Sequence, residues 1–128
     1  ATLIEQLAQR LKVPNEHRDL GVMVSLHHTR CHRAGGHTAE ELYTTLEATD
    51  ALRRPDRFEF FLLACEADAR GRLGLDDNPY PQASILRKAL QAAKQTDIQR
   101  LVAQHKNTQE LGPAIRQARI EAIASVMA

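Results

Sequence analysis

The residues best suited to bind a metal crowd into one short run, His27-His28-Thr29-Arg30-Cys31-His32. On a helix His28 and His32 stand four residues apart, as do His27 and Cys31. Either pair would set two ligands on one face, the way many zinc sites recruit two of theirs. The two pairs lie about 100° apart around the helix axis, so all four cannot reach one ion. No Glu falls inside the run, and carboxylates such as Asp19 lie two or three turns away. His28 and His32 are weak candidates, weighed against ordinary surface or half-buried helix histidines. No metal site is assigned, and no residue is assigned a catalytic role. P-loop, Rossmann and Ser-His-Asp signatures are all missing.

The second resource is positive charge. The net charge is only +1, but it is unevenly spread. Residues 1–50 carry 5 Lys/Arg against 7 Asp/Glu, residues 51–86 carry 5 against 6, and residues 87–128 carry 7 against 3. A basic C-terminal third is the mild electrostatic footprint of a surface that meets phosphate. The cations that could meet phosphate are Arg70, Arg72, Arg87, Lys88, Lys106, Arg116 and Arg119. Arg53, Arg54 and Arg57 have the same chemistry, but Asp56 and Glu59 sit among them and argue for a solvated face.

The elements that must position these groups are helices. Leu3, Ile4, Leu7, Ala8 and Leu11 mark one apolar stripe, which Pro14 stops. A second helix from about Asn15 to Arg33 presents Leu20, Val24 and His28 on one face. Val22, Met23, Leu26 and His27 broaden that apolar side, and Gly35-Gly36 ends it. Thr38 with Glu41 forms a capping box for a third helix. Pro55 suits the first turn of a fourth, whose Phe58, Phe61, Leu62 and Cys65 predict the centre of the bundle. Its end, Cys65 to Gln82, reads as a charged elbow. Glu66, Asp68, Gly71 and Gly74 are its structural residues, a turn is marked by Gly71 and Gly74, and Glu66 pairs with a nearby arginine.

Beyond the elbow, Pro81 to Gln95 forms a helix on Ile85, Leu86, Ala89, Leu90 and Ala93. Thr96 caps a short one, and Asn107 or Thr108 opens the last segment. Gly112-Pro113 breaks or restarts it, and Ile115, Ala118, Ala122, Ile123 and Val126 then turn inward. The fold class is all-α, an irregular bundle of about seven helices. Apolar residues make up 43% of the chain but aromatics only 4%, so the core must rest on Leu, Ile, Val and Ala. At 128 residues the chain suits one domain with a real core.

Three stretches carry a resemblance. They are Val13-Pro14-Asn15-Glu16 with Arg18-Asp19-Leu20, then Glu66-Ala67-Asp68-Ala69-Arg70-Gly71-Arg72 with Gly74 and Tyr80-Pro81-Gln82, then Leu111-Gly112-Pro113 with Ile115 and Ala118-Arg119-Ile120. Together they resemble the C-terminal region of bacterial tRNA nucleotidyltransferases, the CCA-adding enzymes, in the multifunctional type that carries an HD phosphohydrolase domain. The resemblance implies an end of an HD-like part over about 1–35 and a tRNA-binding body or tail over 36–128. It implies tRNA and the N-terminal catalytic domains of the same polypeptide as partners, and Mg2+ with ATP or CTP in the full-length enzyme. A further divalent metal at an HD site is also implied there; no cofactor is assigned to this stretch.

Departures from that family matter as much. Nucleotidyl transfer needs a Gly-Ser motif and paired aspartates that hold magnesium. No Gly-Ser occurs, and Asp76-Asp77 are adjacent rather than spaced on a strand. HD chemistry needs an adjacent His-Asp pair, which this sequence lacks; after His28, where relatives often carry an acid, stands Thr29. The expected role is tRNA binding and positioning for 3′-CCA addition. The alternatives are an HD-type metal-dependent phosphohydrolase fragment and a purely structural or homodimerising helical domain. Cys31 and Cys65 lack C-x-x-C spacing and fit free thiols in a reducing cytoplasm. No apolar run is long enough to span a membrane. The start at Ala1, without Met and inside a helical pattern, suggests an excised piece of a longer protein.

Overall fold

A computed structural model describes residues 14–73, 79–105 and 107–127, with side chains placed throughout except at 14–17, 72, 73 and 108. The described residues form no strand. Six α-helices follow one another: α1 (Pro14–His32), α2 (Ala39–Ala48), α3 (Pro55–Leu73), α4 (Pro81–Lys94), α5 (Ile98–Gln104) and α6 (Thr108–Met127), with a 3-10 turn at Ala34–Gly36. The expected all-α bundle is what forms. The apolar stripe of residues 3–11 lies outside the described residues, as do Gly74, Asp76-Asp77 and Lys106.

Local chemistry accounts for most boundaries. The Thr38 hydroxyl accepts from the Glu41 amide at 3.2 Å while the Glu41 carboxylate accepts from the Thr38 amide at 3.0 Å, so α2 opens on a complete capping box. The other end of α2 is less legible. Asp50 has a positive φ of 55°, its amide donates to Glu47 O, and the Ala51 amide reaches back to Leu46 O. That is a Schellman closure with Asp in the place glycine usually takes, a conformation Asp tolerates better than most residues.

One buried cluster joins α1, α2, α3, α4 and α6. It includes Leu20, Met23, Leu42, Leu46, Phe58, Phe61, Leu86, Leu90 and Ile123. Phe58, Phe61, Leu62 and Cys65 are all buried as their spacing requires. The helix at the centre is nevertheless α4 and not α3. It packs on α1, α2, α3, α6 and the 3-10 turn, whereas α3 lies chiefly against α1. The reason lies in side-chain size: buried Ala83, Ala89, Ala92 and Ala93 let several backbones approach α4 at once.

Five further expectations are corrected. Val22 and Leu26 point outward, 52% and 67% exposed, because α1 buries the single stripe of Leu20, Met23 and Cys31. Val126 is likewise exposed at the end of α6. Asp97, not Thr96, caps α5 by accepting from the Arg100 amide at 3.0 Å; Thr96 instead bonds back to Ala92 O. Finally, α3 runs helical through Gly71 to Leu73, and α6 runs unbroken through Pro113. Pro113 removes one backbone bond, but the residue before it is Gly112, which has no Cβ to strike the proline ring. Packing of Ile120 and Ile123 downstream then holds the helix.

Candidate nucleic-acid interface

The two C-terminal arginines meet on one ring. The Arg116 guanidinium lies 5.7 Å over the Tyr43 ring centre, and Arg119 Nη1 donates to the Tyr43 hydroxyl at 3.3 Å. Tyr43 is buried in α2, so α6 holds both cations against a rigid partner. Arg116 also lies 3.5 Å from Glu40 and 3.7 Å from Glu47. Half-exposed pairs of this length contribute little to stability, but they offset part of the local positive charge.

The remaining candidates are tied elsewhere. Arg87 grips Glu59 of α3 through both Nε and Nη2, at 2.5 to 3.1 Å, a bidentate clamp between α4 and α3. The hydrogen bonds it donates to that carboxylate raise the Arg87 pKa. Arg70 reaches Glu66 one turn back at 3.5 Å, so the expected pairing of Glu66 forms. Lys88 is exposed on α4. The side chain of Arg72 and the whole of Lys106 lie outside what is described. Among the described residues, Arg116 and Arg119 share Tyr43 as a partner.

The expected elbow residues turn out to anchor α1. Asp68 Oδ2 lies 3.2 Å from His32 Nε2, and the Tyr80 hydroxyl lies 2.7 Å from His32 Nδ1 and 3.2 Å from Cys31 Sγ. Gln82 Nε2 donates to His32 O at 3.1 Å. One set of protons satisfies the row, with Cys31 S–H donating to Tyr80, Tyr80 O–H to Nδ1, and Nε2–H to Asp68. Burial first, then the hydrogen bond to Cys31, pushes the Tyr80 pKa up, which suits a neutral hydroxyl in a structural network. Both His32 nitrogens are engaged, and His28 Nδ1 bonds Val24 O at 2.8 Å. The pair does not fit a metal site as arranged, and no group of three metal-ligating side chains occurs among the described residues.

A further basic feature lies at the α2–α3 connection. Leu20, Arg53, Arg54, Pro55, Arg57 and Phe60, with Asp56, line a cavity of about 370 Å³. A second, of about 490 Å³, is lined by Tyr43, Glu47, Asp50, Leu52, Arg53 and Arg119, with Leu46. Arg53 borders both. Glu59, interleaved with this group in sequence, faces Arg87 instead. The spacing of Arg53, Arg54 and Arg57 alone could not reveal this, because the Asp50 turn decides where they point.

No protein-family profile matches this chain, and no solved structure matches it. Its similarity to curated proteins is extensive. A multifunctional CCA protein of Teredinibacter turnerae is 48% identical over 94% of the chain, and that of Hahella chejuensis is 48% identical over the same share. One from Burkholderia orbicola is 46% identical over 98%. The chain spans 29% of the length of the first two and 31% of the third. Among the described residues no helix is long and apolar enough to cross a membrane. By sequence, along nearly its whole length, the chain therefore matches somewhat under a third of the length of proteins named multifunctional CCA protein.

Proposed function

We propose that this chain is the helical part of a CCA-adding tRNA nucleotidyltransferase that holds tRNA while nucleotide addition proceeds on another part of the longer protein. The observation that carries the reading is its similarity, at 46–48% identity over 94–98% of the chain, to proteins named for CCA. The chemistry of the residues agrees. An A-form helix hides its major-groove edges and offers phosphates and 2′-hydroxyls, so an RNA grip that tolerates many sequences needs cations on rigid helices more than aromatic platforms. Arg116 and Arg119, braced on Tyr43, are such cations.

In this reading ATP, CTP and Mg2+ belong to the catalytic head, and the setting is the cytoplasm. Residues 36–128 supply the grip, and residues up to about 35 end an HD-like part packed onto it through α1 and α3. The test is fluorescence anisotropy of labelled tRNA with this chain across a salt series. Arg116→Gln with Arg119→Gln should weaken binding, most at low salt, with the fold checked by thermal melting. Binding that survives unchanged when all the candidate cations are neutralised would end the proposal.

A further inference from the structure

We infer that the α2–α3 connection forms a phosphate-binding groove for the backbone of a folded RNA, running from Arg119 past Arg53 to Arg54 and Arg57. This rests on the reading of the chain as a tRNA-holding element and names a contact surface that the C-terminal arginines alone do not give. The two cavities adjoin at Arg53, so they form one concave track between α6 and the start of α3.

The charge balance along the track favours an anion. Three carboxylates border it, Glu47, Asp50 and Asp56. Asp50 is taken up by Arg53 at 2.5 Å, and the bond from that guanidinium holds its carboxyl below the usual range. Glu47 faces Arg116. Arg54 is exposed, and Arg57 places one nitrogen on Thr49 O at 3.2 Å, leaving most of its donors for a ligand. Arg57 Nε is buried and has no hydrogen-bond partner among the described residues. Asp56 is thus the only carboxylate of the track without a cation bound to it among the described residues.

The backbone adds to this. Arg54 immediately precedes the first residue of α3, where a capping side chain would sit, and a guanidinium has no acceptor with which to cap. The amides of Asp56 and Arg57 have no backbone acceptor among the described residues. A phosphate oxygen is the group that would complete this helix start. Leu20 and Phe60 supply the apolar part of the lining.

The experiment measures anisotropy of labelled tRNA with the wild-type chain, Arg54→Gln, Arg57→Gln and, as a comparison away from the track, Lys94→Gln. Loss of one phosphate contact should lower the log–log salt slope by about 0.7 to 0.9, a weakening of roughly five- to eightfold at 0.1 M salt. Lys94→Gln should bind as wild type. If Arg54→Gln and Arg57→Gln keep the full slope while Arg116→Gln with Arg119→Gln lowers it, the groove is wrong and the proposed function stands. If the wild-type chain binds no tRNA, the proposed function fails. AMP titrated by amide NMR then decides the groove: shifts confined to residues 53–60 support phosphate binding by a free nucleotide, and no shift overturns it.

Discussion

Replacing Gly71 by alanine sets the turn that the sequence suggests against the helix that the structure contains. A glycine ending a helix in the left-handed conformation resists alanine, because a Cβ there is strained. Here α3 continues to Leu73, Gly71 is exposed, and a Cβ built on it would meet nothing within 4 Å among the described residues. Alanine should therefore stabilise, by roughly 0.5 to 1 kcal/mol, at the lower end because the site lies in the last turn. With an unfolding entropy near 2.1 cal/mol/K per residue, a chain of this size gains about 4 °C per kcal/mol. The expected rise is about 2 °C for Gly71→Ala. Gly21, in the exposed middle of α1 with the same open space, should give the full gain. Gly112→Ala is the contrasting case. Its Cβ also meets nothing beyond its chain neighbours, but the next residue is Pro113, whose ring disfavours helix at any residue with a Cβ. It should lower the melting temperature. Thermal melts followed by circular dichroism at 222 nm decide the series, and a fall in Tm for Gly71→Ala would mean that the chain turns at Gly71 after all.

Tyr80→Phe should cost about 1 to 3 kcal/mol in urea unfolding, because it strips a partner from both His32 Nδ1 and Cys31 Sγ; a change below the precision of the melt would remove the network from the account of stability. Glu66→Ala should cost about 0.5 kcal/mol, the scale of a long i, i+4 pair at 3.5 Å, and no change would reduce the pair to a solvated contact. Alkaline pH should destabilise the fold. Cys65 is pushed up first by its bond to Cys31 and then by burial, and Tyr80 by burial. Their stabilisation is present below the ordinary thiol and phenol range and is lost as pH rises through the raised values. Cys31, lowered by its bond to Cys65, acts in the opposite sense, but its contribution is complete once the pH passes the ordinary thiol range and does not change at the alkaline end. Melting temperatures measured between pH 7 and pH 11 should fall at the alkaline end, and a flat profile would refute the assignment.

The sequence by itself determined the all-α class, the α2 capping box, the buried stripe of Phe58, Phe61, Leu62 and Cys65, the Glu66–Arg70 pair, and the likeness to proteins named for CCA. These are written in spacings of three and four residues and in short motifs, which act within a turn or two of their own position. Tertiary structure decided the rest. Which of two apolar faces α1 buries depends on α3, and so Val22 and Leu26 ended outside. Helical continuation through Gly71 and Pro113 pits a local cost of one to a few kcal/mol against packing that residue spacing does not display. His32 met Asp68 and Tyr80 across 36 and 48 residues of chain. Arg53 came to border two cavities because Asp50 adopts a left-handed turn with no glycine to announce it. A side chain's type states what it can bind, but its partner is set by where the backbone sends distant segments.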